Sequence, residues 1–147
     1  QSLRSYLEIQ TFKYSGKYVY TVEAEPGLEQ YGILKMLVQP LVENSLRHGI
    51  APSERPGVVK VQMFSDDGML RVEVVDNGVG MPQEIIEKIL NESDDSHIGL
   101  QNVIGRIKIY YGAPYGVELH SGGFGTRVTL LLPKIEMKKG TEAAEHV

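Results

Sequence analysis

The most unusual polar residue in this 147-residue chain is Asp76, which ends the apolar stretch VEVVD. In a β-strand successive side chains alternate between two faces, so Asp76 falls on the same face as Val72 and Val74. If the strand is regular to its end, a carboxylate lies on the core face, where its ionised form needs hydrogen-bond donors. The alternative is that the strand ends at Val75 and that Asp76 opens an exposed turn, as acid–glycine sequences often do.

A second polar residue on a predicted core face is Thr126, near the start of the last apolar strand. It shares strand parity with Val128, Leu130 and Leu132. Its hydroxyl would line the same pocket as Asp76, or it would bond to nearby backbone as a structural threonine.

Polar residues also occupy the second half of a helix predicted over residues 33–48. At about 100° per residue, Asn44 and His48 continue an apolar edge of that helix. Glu43 and Arg47 form a neighbouring i, i+4 pair. Each side chain has a structural alternative, such as a solvated ion pair, but the four together predict one wall of a polar site. The apolar edge that they extend consists of Ile33 and Leu37.

The fourth polar group lies in SHIGLQNVIGR, where a helix is predicted to begin between His97 and Gly99. Free N–H groups at its N-terminus, and the missing side chain of Gly99, would let a phosphate approach the backbone. Asn102 and Arg106 lie one turn apart on the polar side. An ordinary amphipathic helix with one N-terminal glycine explains the same pattern.

Helices and strands of an α+β fold must position these four groups. Hairpins mixed with helices predict a mixed, mostly antiparallel sheet with helices on one face. The stretch NESDDS at 91–96 is predicted to be an exposed, mobile loop. The predicted elements are a helix ending near Phe12, a strand at 18–25, a helix at 33–48 that Pro40 kinks or restarts and Gly49 ends, a hairpin at 58–76, a helix from Pro82, a helix at 99–111, and two strands joined by GGFG.

Composition excludes several kinds of site and partner. With 41% hydrophobic residues the chain suits one globular domain, and a formal net charge of −4 does not favour a broad nucleic-acid surface. The absence of cysteine excludes disulfides, thiolate metal sites and a thiol nucleophile. There is no P-loop, no G-x-G-x-x-G, no EF-hand loop and no apolar run that could span a bilayer. The four histidines lack zinc-site spacing, and His120 is predicted to face solvent.

Four segments in order resemble the N, G1, G2 and G3 boxes of the GHKL ATPase superfamily: LVQPLVENSLRHGI, VVDNGVGMP, HIGLQNVIGR and GGFGTRVTLLLP. Over roughly residues 3–133 the chain is similar to the catalytic and ATP-binding domain of YesM/LytS-type sensor histidine kinases. The resemblance implies a two-layer α/β sandwich, the Bergerat fold, with ATP and Mg²⁺ as ligands.

The resemblance also implies a role for each matching position. Asp76 would accept a hydrogen bond from the adenine amino group with support from Thr126, and Asn44 would bind Mg²⁺. Glu43 would orient or polarise the attacking group, and His48 would face phosphate. The other implied nucleotide-binding residues are Gly78, Gly80, Met81, Ile98, Gly99, Leu100, Asn102 and Gly125, with 91–98 as a mobile lid.

The chain departs from the family pattern at His97, where the G2 box often has glycine. This histidine would either stiffen the lid or add a phosphate contact. No histidine here has the family's phosphoacceptor context, so the phosphorylated histidine is expected in an upstream domain. Residues 1–15 are therefore expected to end a linker helix from that domain, 16–133 to form the kinase domain, and 134–147 to be a flexible tail.

The implied function is transfer of the γ-phosphoryl group of MgATP to that upstream histidine, and then to an aspartate of a response regulator. The whole protein would be a homodimeric, membrane-anchored bacterial sensor without a nucleic-acid partner, and this chain its cytoplasmic domain. Two alternatives are an anti-sigma-factor-type serine kinase of the same fold and a non-catalytic nucleotide-binding or interaction module. The sequence immediately upstream would distinguish the serine kinase from the histidine kinase. A phosphoryl-transfer assay would distinguish the non-catalytic module from a kinase.

Overall fold

A computed structural model describes residues 3–13, 18–26 and 32–134 of the chain. The side chains of Phe12 and Ile33, and the predicted tail beyond residue 134, lie outside the described part. In order, the elements are α1 (Leu3–Lys13), β1 (Tyr18–Ala24), α2 (Gly32–Asn44), a π-helical segment (Ser45–Ile50), β2 (Gly57–Asp66), β3 (Met69–Asp76), α3 (Gln83–Leu90), a 3₁₀ turn (Asp95–His97), α4 (Ile98–Tyr110), β4 (Gly116–Gly122) and β5 (Gly125–Pro133).

The five strands form one mixed sheet in the order β1-β2-β3-β5-β4. β1 is parallel to β2, and the β2–β3, β3–β5 and β4–β5 pairs are antiparallel. The predicted mixed, mostly antiparallel sheet is therefore confirmed. In this order β3 and β5 are neighbours, so the ends of both strands that carry candidate site residues lie side by side.

The core lies between one face of the sheet and the helices. Every second residue of β3 is buried, as the period-two pattern of a half-buried strand requires. These strand residues and the apolar faces of the helices belong to one continuous cluster, which confirms the predicted two-layer arrangement. Its members include Leu37, Leu41, Leu46, Val61, Val72, Val74, Val103, Ile107, Val128 and Leu130. No helix in the described ranges is both long and apolar enough to cross a membrane.

The helical segment that carries Asn44 and His48 is longer than predicted. Pro40 lies inside α2, and the chain continues from Asn44 into the π-helical segment, which ends at Ile50. The Ala51 N–H donates to the Leu46 carbonyl at 2.9 Å, the i to i+5 bond of a π-turn. The prediction that Gly49 ends the helix is wrong. Its missing side chain serves close packing instead, because a Cβ there would lie 2.8 Å from Oδ1 of Asp76.

The polar stretch after α3 is only partly exposed. Asp94 is 8% exposed and His97 is 7% exposed, so the prediction of an exposed loop is wrong at Asp94. Local hydrogen bonding explains the burial: the Asp94 carboxylate accepts the Ser96 N–H at 2.8 Å and forms the cap of the 3₁₀ turn.

Candidate functional site

Asp76 and Thr126 lie directly opposite each other on β3 and β5. Asp76 is 2% exposed and Thr126 is 4% exposed. The strand therefore remains regular to Asp76, and the prediction from parity is confirmed over the exposed-turn alternative. A carboxylate and a hydroxyl are thus placed together at the edge of the core.

The buried Asp76 carboxylate has few donors within the protein. Its Oδ1 accepts the Gly78 N–H at 2.8 Å. Burial raises the pKa of Asp76 above its ordinary value, while the Gly78 N–H, Ser45 and the Thr126 backbone act in the opposite direction. The buried Ser45 hydroxyl lies near enough to have this effect, yet it completes no hydrogen bond of standard geometry with a described group. The carboxylate therefore keeps acceptor capacity for a donor from a ligand.

Two glycines let the π-helical segment pack directly against the Asp76 loop. A Cβ on Gly78 would overlap the backbone of Gly49, and the Val79 N–H donates to the Gly49 carbonyl at 3.1 Å. The segment thereby packs on one side of the Asp76 carboxylate.

Gly78→Ala is expected to lower the free energy of unfolding by about 1–3 kcal/mol. The added methyl group would overlap the Gly49 backbone, which cannot move aside by a side-chain rotation. Urea unfolding followed by circular dichroism measures this loss. Gly123→Ala is the matched control, since a Cβ at Gly123 meets nothing within 4 Å. Equal stability of the two variants would show that the loop moves aside at little cost.

Ser121 joins the loops on the other side of Asp76, although it was not among the predicted site residues. Its hydroxyl accepts the Met81 N–H at 2.7 Å, donates to the Gly125 carbonyl at 2.9 Å and lies 2.9 Å from Oγ1 of Thr126. The signal was available, because Ser121 shares strand parity with Val117 and pairs with Thr126 across β4 and β5.

The two flanking glycines of this region have backbone angles that favour glycine. Gly80 has φ of +78° and Gly125 has φ of +121°. A Cβ on Gly125 would overlap the Asp76 backbone. We call Asp76, Gly78, Gly80, Met81, Gly125 and Thr126 the Asp76 cluster.

A cavity of about 270 Å³ lies between the second half of α2 with its π-helical continuation and the start of α4. We call it the helix cavity. The structure brings six predicted site residues together there: Glu43, Asn44, His48, Ile98, Gly99 and Leu100. Arg47 and His97 line it as well.

The helix cavity and the Asp76 cluster are adjacent but separate groups. Asp76 and Thr126 do not line the cavity. The π-helical segment connects the two groups, because His48 lines the cavity and Gly49 packs on Asp76. Asn102 belongs to neither group and is exposed on α4.

Glu43 is held from two sides at the edge of the helix cavity. Its Oε2 accepts the Tyr6 hydroxyl at 3.3 Å, and its Oε1 lies 3.8 Å from the Arg47 guanidinium. The predicted Glu43–Arg47 pair is confirmed. Tyr6 belongs to α1, which the buried Leu7 anchors in the core, and no local pattern linked Tyr6 to the site.

His48 stacks on His97 with ring centroids 4.1 Å apart and planes tilted by 34°. Burial lowers the pKa of His48 below its ordinary value of 6.5, and the charges of His97 and Arg47 act in the same direction, while a hydrogen bond with the Ser96 backbone and the charge of Asp94 oppose the shift. His48 is therefore largely neutral at pH 7.

Comparison with known proteins matches residues 30–136 to the family of histidine kinase-, DNA gyrase B-, and HSP90-like ATPases. The chain is 32% identical over 132 residues to sensor histidine kinase YesM of Bacillus subtilis, covering 89% of this chain and 22% of that protein. It is 31% identical over 150 residues to sensor protein LytS of the same organism, covering 99% and 25%. The chain thus spans only about a quarter of the length of these relatives.

Solved structures show a similar fold. The histidine kinase domain of the blue-light activated histidine kinase from Erythrobacter litoralis has a TM-score of 0.62 at 24% identity, covering 90% of this chain and 65% of that one. The catalytic domain of histidine kinase ThkA has a TM-score of 0.66 at 19% identity, covering 88% and 86%. At these identities the likeness concerns the fold alone.

Proposed function

The chain belongs to the family of histidine kinase-, DNA gyrase B- and HSP90-like ATPases, and on that premise we propose that it binds MgATP and donates the γ-phosphoryl group to a histidine of an upstream domain. The observation that carries the proposal is the buried Asp76 carboxylate beside Thr126. The relative named sensor histidine kinase YesM supports this choice among the functions of the family.

The Asp76 cluster suits recognition of adenine. The free acceptor capacity of the carboxylate would receive the exocyclic amino group, with Thr126 and Ser121 supporting the edge of the base. Guanine has a carbonyl at the corresponding position, so its binding would leave two acceptors facing each other without a proton. An unpaired buried polar group of this kind costs about 1–3 kcal/mol, which supplies the selectivity.

The helix cavity suits the phosphates and Mg²⁺. Among the described residues no group of three or more His, Asp or Glu could hold a metal ion alone. Asn44 is 9% exposed and lines the cavity, so its amide oxygen fits a cation that takes few protein ligands and shares the rest with phosphate. When bound, Mg²⁺ would neutralise charge that develops during phosphoryl transfer. Gly99 and the N-terminus of α4 would hold phosphate oxygens with backbone N–H groups.

The remaining roles follow from the same proposal. Glu43 would orient or polarise the attacking histidine, and residues 91–98 would form the lid over ATP. Residues 1–15 would end a linker from the upstream domain, and residues 16–133 would form the kinase domain. A response-regulator aspartate would receive the phosphoryl group. The whole protein would be a membrane-anchored homodimer with this domain in the cytoplasm.

Incubation with labelled ATP and a longer chain that includes the upstream domain tests the proposal. We expect a phosphohistidine, which is labile in acid and stable in base. A base-labile phosphoserine on a separate substrate would favour an anti-sigma-factor-type serine kinase. ATP binding without any transfer would favour a non-catalytic module, and no ATP binding would overturn the proposal.

Asn44→Ala is expected to weaken MgATP binding roughly 3- to 10-fold, equivalent to about 1 kcal/mol for one lost metal contact. ATP affinity in EDTA should change less than twofold, because the amide acts through the metal. Calorimetric titration with and without Mg²⁺ measures both values, with Gln83→Ala as the control because Gln83 is exposed on α3 and does not line the helix cavity. An equal loss in the presence and absence of Mg²⁺ would contradict the assignment of Asn44 as a metal ligand.

A further inference from the structure

Asp94 and His97 form a buried pair at the start of α4, which we call the lid dyad. Nδ1 of His97 lies 3.0 Å from Oδ1 of Asp94, and both side chains are more than nine-tenths buried. Asp94 is itself fixed, because its carboxylate accepts the Ser96 N–H at 2.8 Å and its own N–H donates to Oε1 of Gln101 at 2.8 Å. The carboxylate therefore sets the orientation of the imidazole ring.

The lid dyad leaves one polar atom without a partner. The hydrogen bond from His97 lowers the pKa of Asp94, so the carboxylate is ionised and can only accept. The proton on Nδ1 must then point at Asp94. Nε2, on the opposite side of the ring, is buried and has no hydrogen-bond partner among the described residues. Buried nitrogen atoms of this kind are normally satisfied by protein, water or a ligand.

His97 also lines the helix cavity, which otherwise offers little unpaired positive charge. Arg47 lies 3.8 Å from the Glu43 carboxylate with 65% of its side chain exposed. His48 has a lowered pKa and packs against the His97 ring. Of the two stacked imidazoles, His97 has the close carboxylate that would compensate a positive charge.

We propose that His97, oriented by Asp94, is an additional binding residue for the polyphosphate of ATP, with Nε2 donating to a phosphate oxygen. This inference rests on the proposed function. In this state the ring is an imidazolium, its Nδ1–H bonded to Asp94 and its Nε2–H to the anion, so all three groups are satisfied. Asp94 is a positioning residue, since it acts only through His97. The G2 box often has glycine at the position of His97. In this chain a phosphate contact from the side chain takes the place of the backbone freedom that glycine would provide.

Binding of MgATP and adenosine, measured by competition against a fluorescent ATP analogue, tests the inference. His97→Phe keeps a ring against His48 and removes both nitrogen atoms. We expect it to lower MgATP affinity about tenfold and adenosine affinity less than twofold, because adenosine carries no phosphate. His97→Gln restores a donor and should bind MgATP within about threefold of the parent. Asp94→Asn should lower the affinity for MgATP and leave the affinity for adenosine unchanged. The loss should be smaller than in His97→Phe.

His120→Phe is the control, because His120 is exposed on β4 and does not line the helix cavity. If His97→Phe leaves the ratio of MgATP affinity to adenosine affinity unchanged, the inference is overturned. This holds whether both affinities stay the same or both fall by the same factor. If the parent binds MgATP and only this ratio fails to change, the proposed function survives. If the parent binds neither ligand, the proposed function and the inference fail together.

Discussion

Asp76→Asn is expected to weaken ATP binding by roughly 10- to 150-fold, the equivalent of about 1.5–3 kcal/mol for a hydrogen bond to a charged group. The carboxylate is buried opposite Thr126 and accepts one hydrogen bond from the Gly78 N–H. An amide of the same shape keeps that bond but presents donors where the adenine amino group also donates. Adenosine affinity should fall by the same factor, because the lost contact is to the base.

The same substitution should not destabilise the fold at neutral pH. Burial raises the pKa of Asp76 above its ordinary value of 3.8. As the pH rises from the ordinary pKa to the raised pKa, the unfolded chain releases the Asp76 proton before the folded chain does. The free energy of unfolding therefore falls over this pH range because of this carboxyl group. Asp76→Asn removes that cost. Its stability relative to the parent should be greatest at neutral pH and smallest below pH of about 4.

Calorimetric titration with ATP and adenosine, together with urea unfolding at several pH values, measures both effects. Asp67→Asn is the control, because Asp67 is exposed in the β2–β3 turn. ATP affinity within twofold of the parent would show that Asp76 does not contact the base. A fold that is lost at pH 7 would show that the carboxylate is structural.

Glu43→Gln is expected to reduce the rate of phosphoryl transfer by about 100-fold or more, the usual contribution of a positioned general acid or base. The amide retains the shape of the side chain and can still accept the Tyr6 hydroxyl that now bonds to Oε2 at 3.3 Å. It cannot, however, accept a proton from the attacking group. ATP affinity should therefore change less than twofold.

Initial rates with labelled ATP, in a longer chain that contains the upstream histidine, measure this effect. Glu87→Gln is the matched control, since Glu87 is exposed on α3 and does not line the helix cavity. Transfer at the parental rate would remove Glu43 from the mechanism. A parallel loss of ATP affinity and rate would indicate that Glu43 supports the cavity and does not take part in the chemistry.

Strand parity gave the most useful prediction about the site. The backbone of a β-strand turns each side chain by half a revolution, so a count along the chain was enough to place Asp76 and Thr126 on the core face. Both are buried and paired. The same count would have found Ser121, which hydrogen bonds to the Met81 N–H and the Gly125 carbonyl.

Helical periodicity was less informative where the helix changes its winding. A step of 100° per residue assumes an α-helix, but the chain is π-helical from Ser45 to Ile50. That change places Gly49 against Asp76, where a side chain would not fit. The contact joins this segment to the Asp76 loop, which is distant in sequence, so a local pattern cannot reveal it.

The amino-acid sequence was enough to predict the order of the elements, the inward faces of β3 and β5, and the four segments that identify the family. These properties depend on residues a few positions apart, whose relative directions are fixed by backbone geometry. Tertiary structure alone decided the Gly49–Gly78 contact, the Tyr6–Glu43 hydrogen bond across 37 positions, and the stacking of His48 on His97. Each joins separate elements, and their distance is set by how the core packs, a property that no single segment encodes.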